Sequence, residues 1–168
     1  MTFVHRVGVA MIAAVAVLAT EPVSWVHAEV VVGPTLPKHA IYVEVLGKGG
    51  VWGLGYQQDL RPWLGLGAVA SFIVHDGQWI STLAPYLTAY PLGRGQHRWF
   101  VDVGPEVVYL VTPSPVPEWA GTSDAGVAGH LSSGYEFRGS VFVRAYAMGI
   151  VGRYGIAPWA GVSIGWSF

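Results

Sequence analysis

Ile156-Ala157-Pro158-Trp159-Ala160-Gly161-Val162-Ser163-Ile164-Gly165-Trp166-Ser167-Phe168 alternates in character from one residue to the next. Successive side chains of an extended strand point to opposite faces. Pro158, Ala160, Val162, Ile164, Trp166 and Phe168 therefore share one face, which is apolar throughout. The other face carries Ala157, Trp159, Gly161, Ser163, Gly165 and Ser167. A helix would mix the two sets, so the stretch reads as a strand.

The same alternation recurs upstream. Leu64, Leu66, Ala68, Ala70, Phe72 and Val74 oppose a face of Gly65, Gly67, Val69, Ser71, Ile73 and His75. Trp99, Val101, Val103, Pro105, Val107 and Tyr109 oppose Phe100, Asp102, Gly104, Glu106, Val108 and Leu110. Val127, Leu131, Tyr135 and Phe137 oppose Ala128, His130, Ser132, Gly134 and Glu136. Eight such segments are expected, at 40–48, 50–58, 63–75, 78–90, 98–111, 126–137, 140–152 and 156–168. Turn residues separate them, among them Gly49-Gly50, Asp76-Gly77, Arg138-Gly139 and the stretch 112–125. Glycine supplies positive φ in such places, and proline presets the first turn position. No segment keeps an apolar i, i+3, i+4 stripe, so the expected fold class is all-β.

Composition narrows the function classes. The chain has 168 residues, of which 52% are hydrophobic and only 11% charged, with 23 glycines, 11 prolines and no cysteine. A net charge of −1 with scattered basic residues argues against a nucleic-acid partner. The absence of cysteine excludes disulfides, thiolate metal sites and a cysteine nucleophile. The histidines are dispersed, so no metal or cofactor site is expected.

Residues 1–28 read as a secretory signal peptide. Arg6 gives the positive start, Val7 to Ala19 the apolar run, and Val26-His27-Ala28 the small residues of a cleavage site. The run is too short for a transmembrane helix, which needs roughly 17–25 residues. Residues 29–38 form a short leader, and 39–168 the domain. An exported chain this apolar either hides its apolar faces or turns them to lipid, and only helices and closed barrels satisfy the backbone within a bilayer. The second faces carry few lysines and glutamates for a surface in water. The expected architecture is therefore an eight-stranded antiparallel up-and-down transmembrane β-barrel, with its apolar faces outward. Trp99 and Tyr109 lie about 25 Å apart along the axis of a tilted strand, the height of a lipid-facing band edged by aromatic residues. Trp166 and Phe168 fit a further girdle position.

In its leader, its eight alternating segments and its closing Val162-Ser163-Ile164-Gly165-Trp166-Ser167-Phe168, the chain resembles the small bacterial outer-membrane barrels of the OmpA/OmpX type. The resemblance covers residues 39–168 as a pattern. It implies the bacterial outer membrane as location and outer-membrane lipid and lipopolysaccharide as surroundings. It also implies the barrel-assembly machinery as partner, with Val162, Ile164, Trp166 and Phe168 as the signal read by it. That family usually has long outward loops, whereas here only 112–125 is long. This loop is stiffened by Pro113, Pro115 and Pro117, and carries Trp119.

Parity places Glu44, Asp102, Glu106, His130, Glu136 and Arg144 inside, with Lys48 facing inward at the end of the first strand. An interior this narrow requires charges to pair, and Arg144 is the expected centre of the network. The expected function is structural, a barrier component of the envelope without catalysis. His130-Leu131-Ser132 with Glu136 is also similar to the His-x-Ser dyad of the outer-membrane lipid A deacylases. That likeness implies, as an alternative, a hydrolase with His130 as base, Ser132 as nucleophile and Glu136 as orienter. A further alternative is an exported soluble barrel that binds a small apolar ligand, as lipocalins do.

Overall fold

The computed structural model describes residues 36–114, 121–153 and 155–168, with Arg94 described by its backbone alone. The expected signal peptide, the leader as far as residue 35, and loop residues 115–120 with Trp119 lie outside the described residues.

The strands are β1 (His39–Gly47), β2 (Gly50–Arg61), β3 (Leu64–His75), β4 (Gln78–Arg94), β5 (His97–Thr112), β6 (Thr122–Arg138), β7 (Val141–Gly152) and β8 (Gly155–Ser167). Each pairs antiparallel with the next, and β8 returns to β1 to close the barrel. The closing seam runs from Ala40↔Ser167 to Val45↔Val162, and its end is fastened by His39 and Phe168, which exchange two backbone hydrogen bonds of 2.9 Å. Closure leaves no unpaired edge.

Local chemistry explains the turns. Asp76 and Gly77 both have positive φ, 48° and 76°, the requirement of a two-residue type I′ hairpin between His75 and Gln78. Proline interrupts the ladder where its missing N–H demands it. Pairing of β4 with β5 stops at Leu83↔Val107 and resumes at Leu87↔Val103, skipping the level at which Pro85 faces Pro105. A second irregularity between Ala89 and Leu92 passes Pro91, after which β4 continues to Arg94. The strand expected to end at residue 90 is therefore longer. The loop expected over 112–125 is shorter, since pairing of β5 with β6 continues through Tyr109↔Ala125 and Val111↔Ser123 to Thr112↔Thr122.

Burial is inverted relative to a soluble barrel. On β8, Val162, Ile164 and Trp166 are 54%, 60% and 62% exposed, whereas Gly161, Ser163 and Ser167 are buried. Ile41, Val43, Leu54, Leu66, Phe72, Leu83 and Leu131 continue the apolar exterior around the barrel. The lumen is filled by tyrosine rings, two phenylalanines and, among the described residues, most of the charged side chains. Leu46 departs from parity: it adopts φ 52° and turns outward, while Lys48, in the following turn, enters the lumen fully buried.

Inward glycines make the filling possible. A Cβ on Gly55 would strike the Tyr42 ring, and one on Gly67 the Tyr86 ring. At Gly134 a Cβ would meet the backbone of β7 at Ala145 and Tyr146, which cannot swing aside as a side-chain tip can. Gly134→Ala is therefore expected to cost about 1–3 kcal/mol of stability, the usual penalty of overpacking. Gly126→Ala, where a Cβ meets nothing within 4 Å, should leave the urea midpoint unchanged. Equal midpoints for the two variants would show that the strands are not packed this closely.

Candidate functional site

The chemistry-bearing residues converge in the lumen. Glu136 on β6 stands directly opposite Arg144 on β7 in the strand register. Arg144 Nε donates to Glu136 Oε2 at 2.6 Å, and its Nη1 reaches Asp102 at 3.1 Å. Arg98 bridges Glu136 and Asp59, the latter at 2.7 Å. Arg138 pairs with Asp59 and Glu136, both at 3.0 Å. Glu136 thus receives three guanidinium groups, and Arg144 and Glu136 are wholly buried. The Tyr90 hydroxyl accepts from Gln57 at 2.5 Å and lies 3.2–3.3 Å from the Asp59 and Glu136 carboxylates.

Asp102 joins this cluster to a second one. It accepts from Thr88 Oγ1 at 2.6 Å and pairs with Lys48 at 3.0 Å. Lys48 also lies 3.7 Å from Glu44, which accepts from Tyr146 at 2.5 Å, from Ser163 at 3.3 Å and from the Gly49 N–H at 3.1 Å. The cations additionally rest on aromatic faces: Lys48 on Tyr146 at 4.2 Å, Arg98 on Tyr90 at 3.8 Å and Arg144 on Phe100 at 4.1 Å. Such networks hold because each of these buried cations faces a carboxylate.

Two of the expected interior residues differ from the expectation. Glu106 and His130 face inward but join no part of the network: Glu106 Oε2 and both His130 ring nitrogens have no hydrogen-bond partner among the described residues. Glu106 is on β5 beyond Asp102, out of reach of Arg144, whose guanidinium is committed to Glu136 and Asp102. Three members went unnoticed in the sequence. Arg98 carried a usable signal, because it precedes the outward Trp99. Asp59 and Arg138 were read as turn residues, and they became lumenal when β2 and β6 extended past the expected ends.

The residues of the hydrolase alternative do not assemble as a triad. His130 and Ser132 share the lumenal face of β6, but the Ser132 hydroxyl points to Asp102 at 3.5 Å and Glu136 is held by arginines. Both side chains are buried, away from the exterior. Among the described residues, no cluster of histidine and carboxylate side chains could hold a metal ion.

The girdle residues lie on the exterior. Trp99 and Tyr109 are each 46% exposed, and Trp99 Nε1 donates to Ser133 Oγ at 2.9 Å. Trp166 and Phe168 are also exposed. Near the end carrying the termini, two histidines repeat one arrangement: His39 bonds Tyr56 at 2.7 Å and stacks on Phe168, and His97 bonds Tyr135 and leans on Phe137.

A closed eight-stranded barrel with an apolar exterior and a charged, filled lumen has the architecture of the small transmembrane β-barrels. The sequence matches no protein-family model and no curated protein. Among solved structures the chain is similar to the N-terminal β-barrel domain of Pseudomonas aeruginosa OprF, with a TM-score of 0.61 and 13% identity. The match covers 80% of this chain and 100% of that one, and it is a likeness of fold.

Proposed function

We propose that the chain spans the bacterial outer membrane and serves the envelope as a structural, barrier-forming barrel with a plugged lumen. The observation that carries this reading is the inversion of burial: Val162 and Ile164 are more than half exposed while Arg144, Arg138 and Glu136 are wholly buried. In water the apolar band would be a liability far larger than ordinary exposed patches. A soluble, lipocalin-like barrel would require the opposite arrangement. In a bilayer the band meets hydrocarbon, and the outward aromatic residues meet the headgroup layers. With the barrel end at His39 and Phe168 in the periplasm, the β5–β6 connection faces outward, surrounded by lipopolysaccharide. Val162, Ile164, Trp166 and Phe168 form the outward face that the barrel-assembly machinery would engage.

The paired charges support a plug rather than a conduit, since an ion crossing this level would have to displace a guanidinium from its carboxylates. The test is migration of the membrane fraction in SDS with and without boiling, combined with single-channel recording. The expected result is a faster unboiled band that shifts on heating, with no steady conductance. Protein that washes off as soluble material would overturn the membrane reading, and a steady open current would overturn the plug.

Lipid A should be untouched. Its acyl-chain mass is expected to be the same in cells producing the native protein, His130→Ala or Ser132→Ala, because both side chains face away from lipid. Loss of an acyl chain that Ser132→Ala abolishes would establish the hydrolase instead.

A further inference from the structure

The two halves of the lumen are packed differently. Toward the termini, inward glycines such as Gly55, Gly67 and Gly165 lie against rings and backbone with no room for a methyl group. At the opposite mouth, Gly126 and Gly152 also fall on the inward parity of their strands, and a Cβ built on either meets nothing within 4 Å. The wall beside this open space is mainly apolar, with the paired Ser71 and Thr82 below it. Ile73, Ile80, Val108, Leu110 and Ile150 occupy inward positions and are only partly buried. Three of them form one continuous row, through the pairs Ile73↔Ile80 and Ile80↔Leu110.

The floor beneath is polar and unsatisfied. Glu106 is 7% exposed, and its Oε2 has no hydrogen-bond partner. His130 is 0% exposed, with neither ring nitrogen bonded. Gly104↔His130 and Glu106↔Ala128 are successive inward pairs of the β5–β6 ladder, so Glu106 and His130 are diagonal neighbours, about 7–8 Å apart at Cα. Charge balance singles out the same residue. Among the described residues, the lumen holds five carboxylates, Glu44, Asp59, Asp102, Glu106 and Glu136, against four cations, Lys48, Arg98, Arg138 and Arg144. Every one of those cations is engaged by a carboxylate other than Glu106.

We propose that this mouth is a binding site for a small alkylammonium ion, its charge on Glu106 and its short tail against the isoleucine wall. A buried carboxylate without a partner is costly, and an incoming cation relieves that cost. An ammonium group presents three donors, which carboxylate oxygens can accept. The apolar wall supplies what a tail of a few carbons gains by leaving water.

The test is calorimetric titration of n-butylammonium chloride into the full chain, folded in zwitterionic micelles, with ammonium chloride and n-butanol as controls for head and tail. The expected result is saturable one-to-one binding of butylammonium, with both controls binding about tenfold or more weakly. Glu106→Gln should weaken butylammonium binding about tenfold or more. Gly126→Leu, which fills the open space and leaves Glu106 in place, should weaken it comparably. Heat-modifiable migration confirms that each variant is folded. Absence of saturable binding by the native chain would overturn the proposal, showing that Glu106 is neutralised by a proton alone. Equal binding by native chain and Glu106→Gln would overturn it as well, and so would equal binding of butylammonium and n-butanol.

Discussion

Arg144→Ala lowers the unfolding midpoint of the barrel by the largest amount expected of any single substitution considered. The side chain is wholly buried, with Nε 2.6 Å and Nη2 2.5 Å from Glu136 and Nη1 3.1 Å from Asp102. Its removal leaves Asp102 dependent on Lys48, and Glu136 on Arg98 and Arg138, while opening a void against Phe100. Breaking a buried pair by removing one partner costs about 3–5 kcal/mol, because the remaining charge stays desolvated. With a urea dependence of about 1–3 kcal/mol per molar, the midpoint should fall by about 1 M or more. Arg144→Lys keeps the charge but loses the fork that serves two carboxylates, so it should fall between the native chain and alanine. The measurement is urea unfolding in zwitterionic vesicles, followed by tryptophan emission. A midpoint for Arg144→Ala equal to the native one would mean that the lumenal network contributes nothing to holding the barrel.

Leu131→Arg tests the other side of the wall. Leu131 is 54% exposed on the exterior, paired with Val103 on one side and Gly149 on the other, at a level between Trp99 and Tyr109. An arginine at the bilayer midplane of a barrel costs about 2–4 kcal/mol, falling to about 0–1 near the interface. Ala125→Arg, opposite Tyr109 at the aromatic edge, is the depth control. The expected order of stability in vesicles is native, then Ala125→Arg, then Leu131→Arg. On a surface in water both substitutions would lie within about 0.5 kcal/mol of the native chain. Two equal and unperturbed midpoints would therefore contradict a lipid-facing exterior.

Different parts of the molecule were legible in the sequence to different degrees. The alternation of Val162, Ile164 and Trp166 with Gly161, Ser163 and Gly165 already separated exterior from lumen, and Asp76-Gly77 already marked a tight hairpin. These readings succeed because strand parity and turn chemistry are local. The ends of β4 and β6 were less legible, since continued pairing with β5 carries both strands past residues that look like turns. Asp59 and Arg138 entered the lumen through strand extension of the same kind at β2 and β6. Lys48 was expected inside by simple continuation of β1, but it arrives there through the left-handed Leu46 and the turn after it.

The sequence by itself determined the strand number, the side on which most strand residues lie, and hence an apolar exterior around a charged interior. Period two is a property of each strand alone, so it needs no knowledge of the neighbours. Only the tertiary structure decided which charges meet. Arg98 finds Asp59 across the lumen from 39 positions away, and Arg144 finds Asp102 from 42. Those encounters depend on the stagger at which eight tilted strands close, a quantity that no single strand encodes. The same stagger gathers Asp59, Asp102, Glu136 and Glu44 around four cations and leaves Glu106, two inward steps beyond Asp102 on β5, without one.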